Sequence, residues 1–183
     1  GSSLMWEHVH PTFSGYVLLS KSWLEGLKKS APIFSAEHGS HHRAIPDSQL
    51  VERLNITSLD LEIGAMTMRN LLRRWPFTKE TIAEPAPKNK VEQTAQLFVN
   101  GKLRWNEVHY EMADRYLQDN DIINAVNEYA AVSAMYPMDP FPLLRIGDIF
   151  SAAQEYGQSA AAYSRSLKLQ DNSSIHLKLG IIF

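Results

Sequence analysis

A chain of 183 residues that is 44% hydrophobic and 21% charged has the composition of a globular protein, long enough for one domain or two small ones. Its formal net charge of −2 gives no general attraction to nucleic acid or to an anionic membrane, and no apolar run approaches the ~20 residues a spanning helix needs. Zero cysteines exclude disulfides, a thiol nucleophile and cysteine metal sites.

The first informative stretch is Glu7-His8-Val9-His10-Pro11. A carboxylate three residues before a histidine, ahead of Pro and a helix start, can fix an imidazole tautomer and stabilise the imidazolium that forms when the ring takes a proton from a nucleophile. His10 is the candidate base and Glu7 its orienting partner; the alternative is a turn histidine that only hydrogen-bonds locally. Gly1-Ser2-Ser3 reads as a cloning scar, so an upstream leader or anchor is not excluded and the compartment, cytoplasm or envelope, stays open.

From Phe13 to about Lys29 the apolar residues Phe13, Tyr16, Val17, Leu19, Trp23, Leu24 and Leu27 form a helical stripe, with Thr12 as N-cap and Pro32 beyond its end. That face needs a surface. It is expected to fold back on the helix from Leu59 to Trp75 or to form a homodimer contact, with Trp23 uncovered if its natural cover is missing. The loop from Ser30 to Pro46 carries His38, His41 and His42, which lack an acidic or cysteine partner at fixed spacing and read as a loop cluster, not a metal site. A short helix is expected from Asp47 or Ser48 through Leu54, and a second, after Asn55-Ile56-Thr57, to about Trp75 on Leu59, Leu61, Ile63, Met66, Met68, Leu71 and Leu72. Arg69, Arg73 and Arg74 on that helix read as a solvated or ion-paired face, and the four tryptophans, Trp6, Trp23, Trp75 and Trp105, as packing residues. Residues 80–90, with two prolines, read as a linker and domain boundary. A helix follows at Val91–Val99, and beyond Asn100-Gly101 the chain is helical with turns. With no alternating β-branched run, the fold is expected to be all-α.

The last third repeats itself. Ala113-Asp-Arg-Tyr116 recurs as Gly147-Asp-Ile-Phe150, and Leu179-Gly180-Ile-Ile-Phe183 follows at nearly the same interval, a period of about 34 residues. Small and aromatic residues stand at Ala113, Tyr116, Ala125, Tyr129 and Pro137 in one unit and at Gly147, Phe150, Ser159 and Tyr163 in the next, where Asp171 replaces the closing proline. Over residues 106–183 this resembles the tetratricopeptide repeat (TPR) family. The resemblance implies paired antiparallel helices, here about two and a half units, with the helix at Val91–Val99 and the one before the linker capping one end. Arrays of this kind need about three units, so the lone third helix implies that the chain continues or that another surface covers it. The family's peptide groove falls by this resemblance on Tyr110, Asp114, Leu117, Leu144, Asp148 and Ser151. Asp114 and Asp148 argue against an acidic peptide terminus as ligand.

The opening motif, followed by Phe-Ser-Gly-Tyr-Val-Leu-Leu-Ser, resembles the last sequence block of the SGNH (GDSL-like) hydrolases, with Glu in place of Asp. Glu52 to Asp60 and Leu71 to Thr78 are similar to a segment that follows such a motif in large bacterial proteins joining SGNH-type domains to TPR arrays. The resemblance implies that His10 is the base, that Glu7 orients it and that Gly15 lets the helix pack on a sheet. No Gly-Asp-Ser nucleophile block or oxyanion block is present, so the chain as it stands is expected to be inert. The resulting division is 1–29, end of a hydrolase-like domain; 30–79, helical connection; 80–90, linker; 91–183, repeats. No cofactor is expected. The partners implied are a protein or peptide in the groove and an N-terminal hydrolase domain, the intact protein being an esterase or deacetylase; the rival is an interaction module without enzymatic ancestry.

Overall fold

The computed structural model describes residues 4–5, 11–30 and 54–182, apart from the side chain of Lys28. Among them the secondary structure is all-α: eight helices and no strand, the one extended pairing being a bridge between Met5 and Pro11. The chain divides into two compact units, Gly1–Pro46 and Asp47–Phe183. The expected short helix at residues 47–54 and the histidines His38, His41 and His42 fall largely or wholly outside the described residues.

In the first unit, helix α1 (Phe13–Ser30) starts where expected, with the Gly15 amide donating to the Thr12 hydroxyl at 3.2 Å. A Cβ on Gly15 would stand 2.0 Å from the carbonyl oxygen of Leu4, which also accepts from the Thr12 amide at 2.9 Å. Glycine at this position makes room for the chain before the motif. Trp23 is 75% exposed, and Tyr16, Leu18, Leu19, Leu24 and Leu27 are exposed with it.

The second unit holds α2 (Ser58–Leu72), α3 (Lys90–Val99), α4 (Trp105–Gln118), α5 (Ile122–Met135), α6 (Phe141–Ala152), α7 (Tyr156–Leu169) and α8 (Ser173–Ile182). Thr57 and Asp60 form a capping box at the start of α2. The helix stops at Leu72, not at Trp75: Pro76 disfavours helical backbone at the residue before it, and Trp75 lies 81% exposed in the turn, so it is not the packing residue the sequence suggested. Residues 80–90 do not separate two units. Leu59, Ile63 and Met66 of α2 share one core with Ala95 of α3 and Val108 and Met112 of α4, so the proline-containing segment joins two packed helices of the same unit.

Packing is most extensive within the pairs α2/α3, α4/α5 and α6/α7, and lighter between successive pairs, which makes the unit a short helical-hairpin array ending in α8. Small residues set the closeness of these pairs. Ala113 and Ala125 are fully buried in a cluster with Tyr129. One period later Gly147 lies directly under Tyr163: a Cβ at 147 would meet the Tyr163 ring at 2.4 Å, and the buried Ser159 hydroxyl donates to the Gly147 carbonyl at 2.8 Å. The turns repeat as well. Asn120 and Gln154, one period apart, both adopt left-handed backbone (φ 58° and 61°), and in each turn the next amide reaches back to the aromatic residue of the first helix, Asp121 to Tyr116 at 2.8 Å and Glu155 to Phe150 at 2.9 Å.

Gly147→Ala puts a methyl where the ring already is, so α6 and α7 must separate. Overpacking of this kind costs about 1–3 kcal/mol, and the thermal midpoint is expected to fall by about 3–10 °C. Calorimetry of the variant beside Gly157→Ala, where an added Cβ meets nothing within 4 Å, separates this contact from a general effect of losing glycine.

Candidate functional site

Glu7 and His10 lie outside the described residues, whereas their flanks do not: Met5 and Pro11 pair as an antiparallel bridge.

The six residues assigned to a groove all fall on α4 and α6, the first helices of two successive hairpins. Tyr110 stacks on Tyr129 with ring centroids 5.5 Å apart and meets Phe141 edge-on at 5.2 Å. Burial pushes its hydroxyl pKa up to about 12, with the Asp139 carboxylate acting in the same direction. The two aspartates are engaged by neighbours. Arg145 stands 3.7 Å from Asp114 and 3.8 Å from Asp148, donates to the Tyr129 hydroxyl at 3.2 Å and lies over that ring. Asp148 also accepts from the Tyr163 hydroxyl at 2.7 Å and pairs with Lys178 of α8 at 2.5 Å. Burial, followed by this carboxylate, raises the Tyr163 pKa to about 12. An alternating row of Asp114, Arg145, Asp148 and Lys178 therefore runs across α4, α6 and α8 with its charges mutually compensated.

Leu117 packs at the edge of the core formed by Ala113, Ala125 and Tyr129, and Ser151 accepts the Gln154 amide through its carbonyl at 3.0 Å. Leu144 lines a recess of about 160 Å³ with Pro140, Phe141, Ser166, Gln170, Asn172 and Ile175. No side chain in that lining is charged, so the recess accommodates an apolar or hydrogen-bonding group at less cost than an ion. Next to it Met135, Tyr136, Met138 and Phe141 are exposed around the turn between α5 and α6.

A second constellation was not anticipated from the sequence. His109 of α4 has no exposed surface; its Nδ1 lies 2.5 Å from Glu128 Oε2 of α5, itself 1% exposed, and its Nε2 lies 3.2 Å from Asp60 Oδ1 of α2. The Trp105 indole donates to the same Asp60 oxygen at 3.0 Å and packs on the imidazole at 4.1 Å, while the Thr57 amide donates to the other Asp60 oxygen at 3.0 Å. Burial works against the imidazolium, but the hydrogen bonds to Asp60 and Glu128 outweigh it and hold the His109 pKa above its ordinary value. Glu128 is pushed up by burial against the pull of His109. Asp60 is held below its ordinary value, because its bonds to His109, the Thr57 amide and Trp105 outweigh its burial. The imidazolium proton that faces Oε2 is therefore retained above the ordinary imidazole range, held by the two carboxylates. The sequence carried one signal. Glu128 sits three residues after Ala125 and four before Val132, on the buried face of α5, and a charge there requires a partner.

Among the described residues no group of three or more His, Cys, Asp or Glu side chains is arranged to hold a metal ion, and no helix is long and apolar enough to cross a membrane. Arg69 pairs with Glu62 at 2.5 Å, as its place on a charged face suggested.

The second unit thus belongs to the class of all-helical proteins built from stacked helical hairpins. No family model matches the sequence, and no curated protein or solved structure is significantly similar to it.

Proposed function

We propose that this chain is a protein-binding scaffold whose second unit is a short TPR-type array, and that it forms the C-terminal region of an SGNH-hydrolase-like protein. The observation that carries the scaffold reading is the recurrence, at one common period, of both the small-under-aromatic packing and the left-handed turn at Asn120 and Gln154. A repeat that fixes helix spacing so closely presents the same face of each first helix in one row, and Tyr110, Asp114, Leu117, Leu144, Asp148 and Ser151 occupy that row. Because Asp114 and Asp148 are already paired with Arg145 and Lys178, the preferred partner is an uncharged or weakly charged peptide that inserts an apolar side chain beside Phe141 and Leu144.

The hydrolase reading rests on the Glu7 to Pro11 motif and on the tight approach of Leu4 to Gly15 behind it. In it a missing N-terminal domain supplies the nucleophile and oxyanion donors, His10 takes the proton and Glu7 orients the ring. The exposed face of α1, including Trp23, is the surface that this domain, or a second copy of the chain, would cover. The intact protein would be an esterase or deacetylase, and the array would recruit or position its partner.

The scaffold reading is tested by screening the full chain against an array of peptides and measuring hits by calorimetry. Apolar, weakly charged peptides are expected to bind with micromolar affinity, and Leu144→Glu is expected to weaken them at least about tenfold by placing a charge in a neutral recess. Binding that ignores Leu144→Glu, or its complete absence, contradicts the reading. The hydrolase reading is tested on a longer protein that includes the upstream reading frame. There His10→Ala is expected to abolish serine-dependent hydrolysis of p-nitrophenyl acetate; an unchanged rate removes His10 from the reaction, and an upstream frame without a Gly-Asp-Ser block favours an interaction module with no enzymatic ancestry.

A further inference from the structure

The buried ion chain at His109 does not contribute to the groove, yet each of its members is bonded to more than one neighbour. Its members come from three helices: Asp60 from α2, His109 from α4 and Glu128 from α5. Among the described residues the groups that face the imidazole are these two carboxylates and the Trp105 ring of its own helix. The two carboxylates are not equivalent. Glu128 joins α4 to α5 within one hairpin, where Ala113, Ala125 and Tyr129 also hold the pair together, and it meets α2 at the Thr57 side chain of its cap. Asp60 joins α2 to that hairpin through both His109 and the Trp105 indole, beside the apolar core that Leu59, Ile63 and Met66 share with Ala95 of α3 and with Val108 and Met112, and the Ser58 to Tyr116 hydroxyl contact of 3.1 Å.

Removing the proton from a histidine that bridges two carboxylates leaves one ring nitrogen as a lone pair facing an anion. Nδ1 has the shorter contact, to a fully buried carboxylate, so the N–H stays there and Nε2 turns its lone pair toward Asp60. The bond lost is the imidazole's own link to α2, while the Trp105 indole still donates to Asp60 Oδ1. Asp60 is partly exposed and can turn to water, whereas Glu128 cannot. We infer that the Asp60–His109–Glu128 chain is a latch that tightens α2 on the α4–α5 hairpin while His109 is doubly protonated and loosens it when one proton leaves, weakening the apolar contact of Leu59, Ile63 and Met66 on α2 with Val108 and Met112 on α4.

The direction in pH follows from the shifts. His109 is raised, so its contribution to docking is complete below its ordinary value of 6.5 and is lost as pH rises through the raised value. Glu128 is raised too and acts in the same sense. Asp60 is lowered, so its contribution is complete above 3.8 and is lost as pH falls through the lowered value. The latch is therefore closed at mildly acidic pH below 6.5 and opens as pH rises through the raised His109 value.

The experiment is two-dimensional NMR on the uniformly labelled full chain, from about pH 6 to 10, reading the Trp105 indole N–H and the hydrogen-exchange protection of α2 amides, with α7 amides as reference. The indole signal is expected to follow one titration with a midpoint above 6.5, and protection in Leu59–Met66 to fall by about tenfold across it while α7 keeps its protection. His109→Gln is expected to abolish the titration and leave α2 weakly protected at every pH. Asp60→Asn, which leaves the His109–Glu128 pair in place, is expected to lower α2 protection alone and to bring the midpoint down, and it carries the test if the His109 variant does not fold. An α2 helix whose protection follows that of α7 throughout, an indole signal that does not titrate, or an Asp60→Asn protein with wild-type α2 protection and midpoint overturns the latch.

Discussion

Everything in the second unit depends on how closely two helices of a hairpin can approach, and that distance is set where a backbone meets an aromatic ring. At Gly147 the absence of a Cβ lets Tyr163 lie on the main chain of α6, and the Ser159 hydroxyl closes the same contact from the other helix. With the ring pinned there, its hydroxyl reaches Asp148, and through Asp148 the hairpin engages Lys178 and the final helix. A larger residue at 147 would displace the ring, the carboxylate and α8 together. In the preceding hairpin Ala113 and Ala125 occupy the corresponding small positions and Tyr129 the aromatic one, with Arg145 linking its hydroxyl to the next pair. Packing inside each hairpin thus fixes the polar contacts between hairpins, and these in turn fix the row of side chains along the first helices.

Charge is handled differently at the two ends of this unit. Along the row, Asp114, Arg145, Asp148 and Lys178 are partly exposed and contribute little individually, each being screened by water and salt. They define a surface that does not select for a charged ligand. At the α2 end, His109 and Glu128 are removed from water altogether, where a broken pair is costly and an intact one fixes geometry. The first arrangement leaves room for an apolar partner near Phe141 and Leu144. The second ties one bond in the seating of α2, that between His109 and Asp60, to a single proton.

Much of this was legible in the residues, because helices with apolar stripes and good caps declare themselves locally. Thr12 and the spacing of Leu59, Ile63 and Met66 placed α1 and α2, and the periodic recurrence of small and aromatic residues placed the hairpins. What failed was non-local. The prolines of residues 80–90 resemble those of an interdomain linker, yet a linker says nothing about whether α2 and α3 need one another's apolar faces, and they do. Trp75 looked like a packing residue because of its size, but the backbone requirement of Pro76 put it in an exposed turn. Asp114 and Asp148 looked available to a ligand, since neither Arg145 nor Lys178 announces which carboxylate it will meet. His109 was missed because its partners lie 19 and 49 residues away. At the opening motif the sequence is specific where the fold is least informative: the described flanks Met5, Pro11 and Gly15 form a tight corner, and the chemistry of Glu7 and His10 is read from their order in the chain.

A tyrosine ring lying directly on the backbone of a glycine in the neighbouring helix is the contact from which the rest follows. The ring current of Tyr163 measures it. In the proton NMR spectrum of the full chain, the Gly147 α-protons are expected far upfield of ordinary helical glycine and are expected to return to that range in Tyr163→Leu. Gly147 α-protons at ordinary shifts in the unmodified protein would show that the two helices do not meet in this way, and the regular row of first helices built on that contact would fall with it.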